Sequence, residues 1–185
     1  FNFNIQTLDS ILKADGIEKT WKRILVTHLQ SKSKFKYIIE DPEFKSCKAL
    51  PNDLIDGLSI GEIGVLYEYS LTHGSISSRK TNGQFFTPDD VANFMAISSK
   101  KFSDGIWLDP CSGIGNLSWH LAAVQNDPEA FVLKHLILSD KDKLALLIAR
   151  TLITVSFQKN RAKLFFDIRD NFQVFDFLSV ADAGD

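Results

Sequence analysis

The stretch Leu108-Asp109-Pro110-Cys111-Ser112-Gly113-Ile114-Gly115-Asn116-Leu117 constrains the fold of this chain more than any other. The apolar run Ile106-Trp107-Leu108 before it reads as a short strand, and Asn116 to Gln125 after it reads as a helix. An acid and a glycine-bearing turn join the two. Glycine at 113 and 115 lets the backbone turn sharply and approach a ligand, while the helix N-terminus presents amide groups with no partner inside the helix. The pattern is that of a ligand cradle on a strand-to-helix turn.

The identity of the ligand is narrowed by two neighbouring residues. Ser118 stands where the dinucleotide fingerprint has its third glycine, which counts against NAD and FAD. Asp109 would repel a pyrophosphate but would accept hydrogen bonds from an ammonium, and S-adenosylmethionine (SAM) carries both an ammonium and a sulfonium. Capping of the turn into the helix at 116 is the competing use of this carboxylate, and on this segment alone the two readings stand level.

After Gly105 short apolar strands alternate with helices: Ile106 to Leu108, helix Asn116 to Gln125, His135 to Leu138, helix Lys141 to Ser156, then Ala162 to Phe166. Right-handed crossovers make such strands parallel neighbours, in the local order third, second, first. Asp140 ends the second strand, where an acid in Rossmann-like sites meets ribose hydroxyls. Asp142 is the fallback, with helix opening as its competing task.

Upstream, residues 1 to about 80 read as a helical region. Leu8, Ile11 and Leu12, then Trp21, Ile24, Leu25, His28 and Leu29, then Ile60, Ile63, Leu66, Tyr67, Ser70 and Leu71 recur at helical spacing, with the aromatics as core. Pro42 and Leu50-Pro51-Asn52-Asp53 interrupt it, and Asp53 or Ser59 suits the N-cap of the helix that follows. His73 to Gly83, poor in apolar residues, is the expected mobile boundary loop. A helix from Pro88 to about Ser99 follows, with Thr87 as N-cap and Asp89 and Asp90 in its first turn.

Among the 185 residues no apolar run reaches the length of a membrane span, so the chain reads as soluble and cytoplasmic. Cys47 and Cys111 lack any metal-ligand spacing and are expected as free thiols, with no metal site. A net charge of −2 gives no global attraction to nucleic acid. The small basic groups, such as Lys19/Lys22/Arg23 and Lys159/Arg161/Lys163, read as ordinary solvated faces.

Three pieces in order resemble the N6-adenine-specific DNA methyltransferase family, particularly the modification subunits of type I restriction-modification systems and related fused enzymes. Gly61 to Tyr69 followed by Gly83-Gln84-Phe85-Phe86-Thr87-Pro88 resembles the family's lead-in helix and its GQFYTP motif. Asp109 to Leu117 resembles DPCCGSGNFL, and Asp176-Phe177-Leu178 resembles the acid-containing turn after the third strand. The resemblance implies an α/β chain: a helical N-terminal region (1–80), then a truncated Rossmann-like SAM-dependent methyltransferase domain (81–185) with its first three strands.

By this resemblance Phe85, Phe86 and Thr87 would lie at the methionine end of SAM, with Asp109, Pro110, Gly113, Gly115 and Asn116 beside it. Asp140 would hold the ribose, Asp176 would accept from the adenine amino group, and Phe177 or Leu178 would flank the ring. The implied reaction is methyl transfer from SAM to the exocyclic amine of adenine in double-stranded DNA, with specificity or restriction subunits as further partners. The family's Asn/Asp-Pro-Pro-aromatic tetrapeptide, which clamps the flipped base, does not occur in this sequence, so no catalytic residue is assigned. The competing readings are a non-catalytic SAM-binding or scaffold subunit and an RNA or protein methyltransferase fragment. An open edge on the first strand is also expected, leading to self-association or to cover by the N-terminal helices.

Overall fold

A computed structural model describes residues 5–73, 87–102 and 105–177. The chain divides into two compact units, Phe1–Phe86 and Thr87–Asp185. The expected boundary loop lies outside the described residues from position 74 onward. No described helix is long and apolar enough to cross a membrane.

The first unit is helical, as its periodicity predicts. Helix α1 (Ile5–Gln30) is broken at Gly16, whose φ of 74° lets the chain change direction without strain on a side chain. Two 3-10 segments, Ser33–Glu40 and Pro42–Phe44, lead towards helix α2 (Ile60–His73). Ser59 accepts from the Glu62 amide at 3.1 Å while Glu62 accepts from the Ser59 amide at 2.8 Å, a reciprocal cap that starts α2. Asp53 instead closes its own turn through the Ile55 amide and pairs with His28 Nδ1 at 2.9 Å. Trp21, fully buried, donates to Ser70 Oγ at 3.0 Å and meets Tyr67 edge-on, so the aromatics read as core are core. The Lys19/Lys22/Arg23 group is taken up by Asp15, Glu18 and Glu43.

The second unit is an α/β layer with a three-stranded parallel sheet, order β1-β2-β3. It runs helix α3 (Asp89–Ser99), 3-10 turn Lys100–Phe102, β1 (Trp107–Asp109), α4 (Asn116–Ala123), α5 (Pro128–Lys134), β2 (Leu136–Asp140), α6 (Lys143–Phe157), α7 (Leu164–Asp167) and β3 (Phe172–Val174). The registers are Trp107 against Leu136 and Leu138 against Phe172. Leu136 and Leu138 point from β2 into the core formed with Leu121, Phe131, Ala149, Ile153 and Leu164. Helix α5 is an element that the sequence pattern did not single out. Its Glu129 accepts from the amides of Lys159, Asn160 and Arg161, which fixes the loop after α6.

Two expectations need correction. The run Ala162 to Phe166 is not the third strand: Leu164–Asp167 is a short helix, and the strand is Phe172–Val174. Leu164, Phe165 and Ile168 are all fully buried, so their spacing serves one helical face. A short apolar run does not separate helix from strand by itself. Thr87 does not cap α3 through its side chain. The N-cap is Pro88, which offers no side-chain acceptor, and the Thr87 carbonyl is engaged elsewhere.

Candidate cofactor site at the carboxyl edge of the sheet

Parallel strands bring their carboxyl ends to one edge of the sheet. Asp109 ends β1, Asp140 ends β2, and Asp176 follows β3 by two residues. The ladder continues past β3, with the Phe175 amide on the Asp140 carbonyl at 3.0 Å, so Asp176 comes next to the end of β2. Three acids predicted from sequence thus lie along the same edge, on consecutive strands.

The turn from β1 into α4 is fixed by hydrogen bonds to β2. The Ser112 amide donates to the Ser139 carbonyl at 3.0 Å, and the Gly113 amide donates to Asp140 Oδ2 at 2.7 Å. The other oxygen of Asp140 accepts from the Asp142 amide at 2.9 Å, so this carboxylate ties the glycine turn to the start of α6. Asp142 itself caps α6 through the amides of Leu144 and Ala145.

The two glycines do different work. Both have left-handed φ angles, 52° at Gly113 and 79° at Gly115. A Cβ on Gly113 would meet nothing within 4 Å, so the backbone there is open to approach. A Cβ on Gly115 would lie 3.1 Å from both Ala149 Cβ and Leu138 Cδ2, so Gly115 lets α4 pack closely on β2 and α6.

Asp109 sits in poor solvent. Burial pushes its carboxyl group above the ordinary carboxylate range, against the lowering hydrogen bonds from the Ser118 hydroxyl and the Cys111 amide, and the nearby Asp140 charge adds to the rise. Ser118, itself buried, donates to Asp109 Oδ2 at 2.7 Å. Sequence reasoning used Ser118 only to argue against a dinucleotide. Its spacing of nine from Asp109 holds no signal that the two side chains meet.

The remaining predicted residues are scattered in role. Asn116 is buried, and its Nδ2 donates to the Thr87 carbonyl at 2.6 Å. Pro110 is exposed and, with Asp109, lines an apolar cavity of about 530 Å³ beneath α3, walled by Phe94, Met95, Phe102 and Trp107. Gly113, Asp140 and Asp176 are not part of that wall. Asp176 and Phe177 are exposed, and Phe177 meets Phe175 edge-on. Phe85, Phe86 and Leu178 lie outside the described residues. Cys111 is an exposed free thiol, and Cys47 a half-buried one.

A parallel α/β sheet with a glycine turn after its first strand and acids along its carboxyl edge defines a class of proteins that hold a small ligand at that edge. The family model for N-6 DNA methylases matches residues 59–143, from the cap of α2 to the first residue of α6. Residues 59–143, a little under half of the chain, are thus similar to N-6 DNA methylases. No curated protein and no solved structure matches the chain.

Proposed function

We propose that the second unit is the SAM-binding part of a Rossmann-like, adenine-specific DNA methyltransferase of a restriction-modification system. The observation that supports this best is the glycine turn at the end of β1, with open space over Gly113 and a desolvated Asp109 beside it. A carboxylate held above its ordinary range, with a second acid nearby, gains from a cation in the same space, and SAM brings an ammonium and a sulfonium. In this reading Asp109 binds the ammonium and Gly113 lets the methionine moiety approach the backbone. Asp140 keeps the turn in place and has lone pairs left for ribose hydroxyls, while Asp176 receives the adenine amino group. When bound, SAM supplies an activated methyl group for displacement by the adenine amine.

Calorimetric titration of the folded chain with SAM tests the proposal. Binding is expected, and Asp109→Ala should weaken it by about 1.5 to 3 kcal/mol, the range for a hydrogen bond to a charged group. No heat at millimolar ligand would overturn it. Since the sequence holds no base-clamping tetrapeptide, this chain alone should transfer no tritiated methyl group to mixed-sequence DNA.

A further inference from the structure

We infer that Asn116 and His120, one turn apart on α4, clamp the entry of α3 against the glycine turn and so serve as positioning residues for the cofactor. The inference rests on the cofactor reading above. Helix α3 starts without a side-chain cap, so its first residues are held from outside. Asn116 Nδ2 donates to the Thr87 carbonyl at 2.6 Å, and the His120 ring N–H donates to Asp89 Oδ1 from Nε2 at 3.1 Å. Both donors come from one face of α4, the helix that the glycine turn opens.

The burial of Asn116 sharpens the point. The residue is 5% exposed, and its Oδ1 finds no donor among the described residues. An apolar side chain would fill the same space without stranding a buried oxygen, so what the amide contributes is its donor. One of its two N–H groups is committed to the Thr87 carbonyl, which ties the amide's orientation to the entry of α3. Asn116 therefore joins the end of the Gly83-to-Pro88 motif to the Asp109-to-Leu117 motif, two pieces that the sequence keeps apart. His120 repeats the contact one turn along.

The test combines amide hydrogen exchange with SAM titration on the full chain. Asn116→Asp keeps the side chain's size but turns an acceptor towards the Thr87 carbonyl, while an acid in the first turn of α4 favours that helix. Burying that carboxylate should lower the melting temperature, so exchange is read relative to α6: the Ala92 amide, bonded to the Pro88 carbonyl, should exchange about tenfold faster than in the natural chain after that correction, and SAM should bind about tenfold more weakly. His120→Ala should shift both readouts the same way, and His120→Gln, which restores a donor, should return them to within about twofold. Unchanged exchange at α3 relative to α6 in both Asn116→Asp and His120→Ala would overturn the clamp, and faster exchange with unaltered SAM affinity would overturn its link to the cofactor. Absence of SAM binding by the natural chain would instead count against the cofactor reading, with the exchange results still deciding the clamp. Should Asn116→Asp fail to fold, the His120 pair decides.

Discussion

The two units differ in how completely they satisfy themselves. Among the described residues, the helical unit leaves two large apolar side chains exposed, Ile5 and Val65, whereas the α/β unit leaves ten, from Val91 and Phe94 to Phe175 and Phe177. The acids differ in the same sense. For Asp53 in the helical unit, burial raises the carboxyl pKa, but the hydrogen bond and charge of His28 outweigh it and leave the group below its ordinary value. Asp109 in the α/β unit is left above it. The helical unit compensates its buried acid with a charged partner, whereas the α/β unit keeps an apolar edge and an acid that burial outweighs despite its bonds to Ser118 and Cys111. Function is read where the structure is unfinished.

The strongest attempt to break this contrast is Trp21→Ala. Removing a fully buried indole should destabilise the helical unit by about 3 to 5 kcal/mol in urea titrations, with SAM affinity unchanged under conditions where the chain is folded. A large loss of affinity would show that the two units are not separable in role. Gly115→Ala comes next. Its left-handed φ and the 3.1 Å approaches to Ala149 and Leu138 should together cost about 2 to 3 kcal/mol of stability. Gly113→Ala meets no atoms, so only the backbone strain of about 1 kcal/mol is expected, yet SAM binding should suffer more than in Gly115→Ala because the open approach is lost. Equal stability losses in the two alanine variants would remove the distinction drawn between the glycines.

The smallest effect on stability is expected from Asp109→Asn, and it has the opposite sign. A group whose native pKa is raised binds its proton more tightly when folded, so it lowers stability above that raised value. The penalty is relieved as the pH falls through that value towards the ordinary 3.8. The amide can still accept from Ser118 without carrying the buried charge. The melting temperature at neutral pH should therefore rise slightly while SAM binds more weakly, by no more than in Asp109→Ala, and a fall in melting temperature would contradict the desolvation argument. Asp53 runs the other way: its contribution is present above 3.8 and disappears as the pH falls through its depressed native value. Asp53→Asn should accordingly lower stability at neutral pH.

Much of this arrangement was legible in the sequence because it is written locally. The strand, acid, glycine turn and helix of residues 106–125 follow one another along the chain, and backbone rules decide each step. The start of α2 at Ser59 is legible for the same reason, since its cap spans only three residues. The third strand was misplaced because Leu164 to Phe166 is apolar at a length that suits either state, and burial on one helical face decided it. The contacts that hold the site were not legible at all. Gly113 on Asp140 and Asn116 on Thr87 link residues that meet only after the chain has reached β2 or packed α3 on α4, and Ser118 on Asp109 needs α4 folded back over the end of β1.

The strand order has a consequence for how the molecule is made. The partners of the glycine turn described above, the Ser139 carbonyl, Asp140, Leu138 and Ala149, come from β2 and α6, and none of them from β3. Successive strands are separated by crossovers of about thirty residues, so each closure remains short. During synthesis the chain can thus shape the turn once α6 has emerged from the ribosome, while Phe172 to Val174 is still within the exit tunnel. The last strand then docks on a preformed support and brings Asp176 to an edge that is already waiting. In the proposed SAM reading, translation would complete the pocket in order, methionine end first and adenine end last.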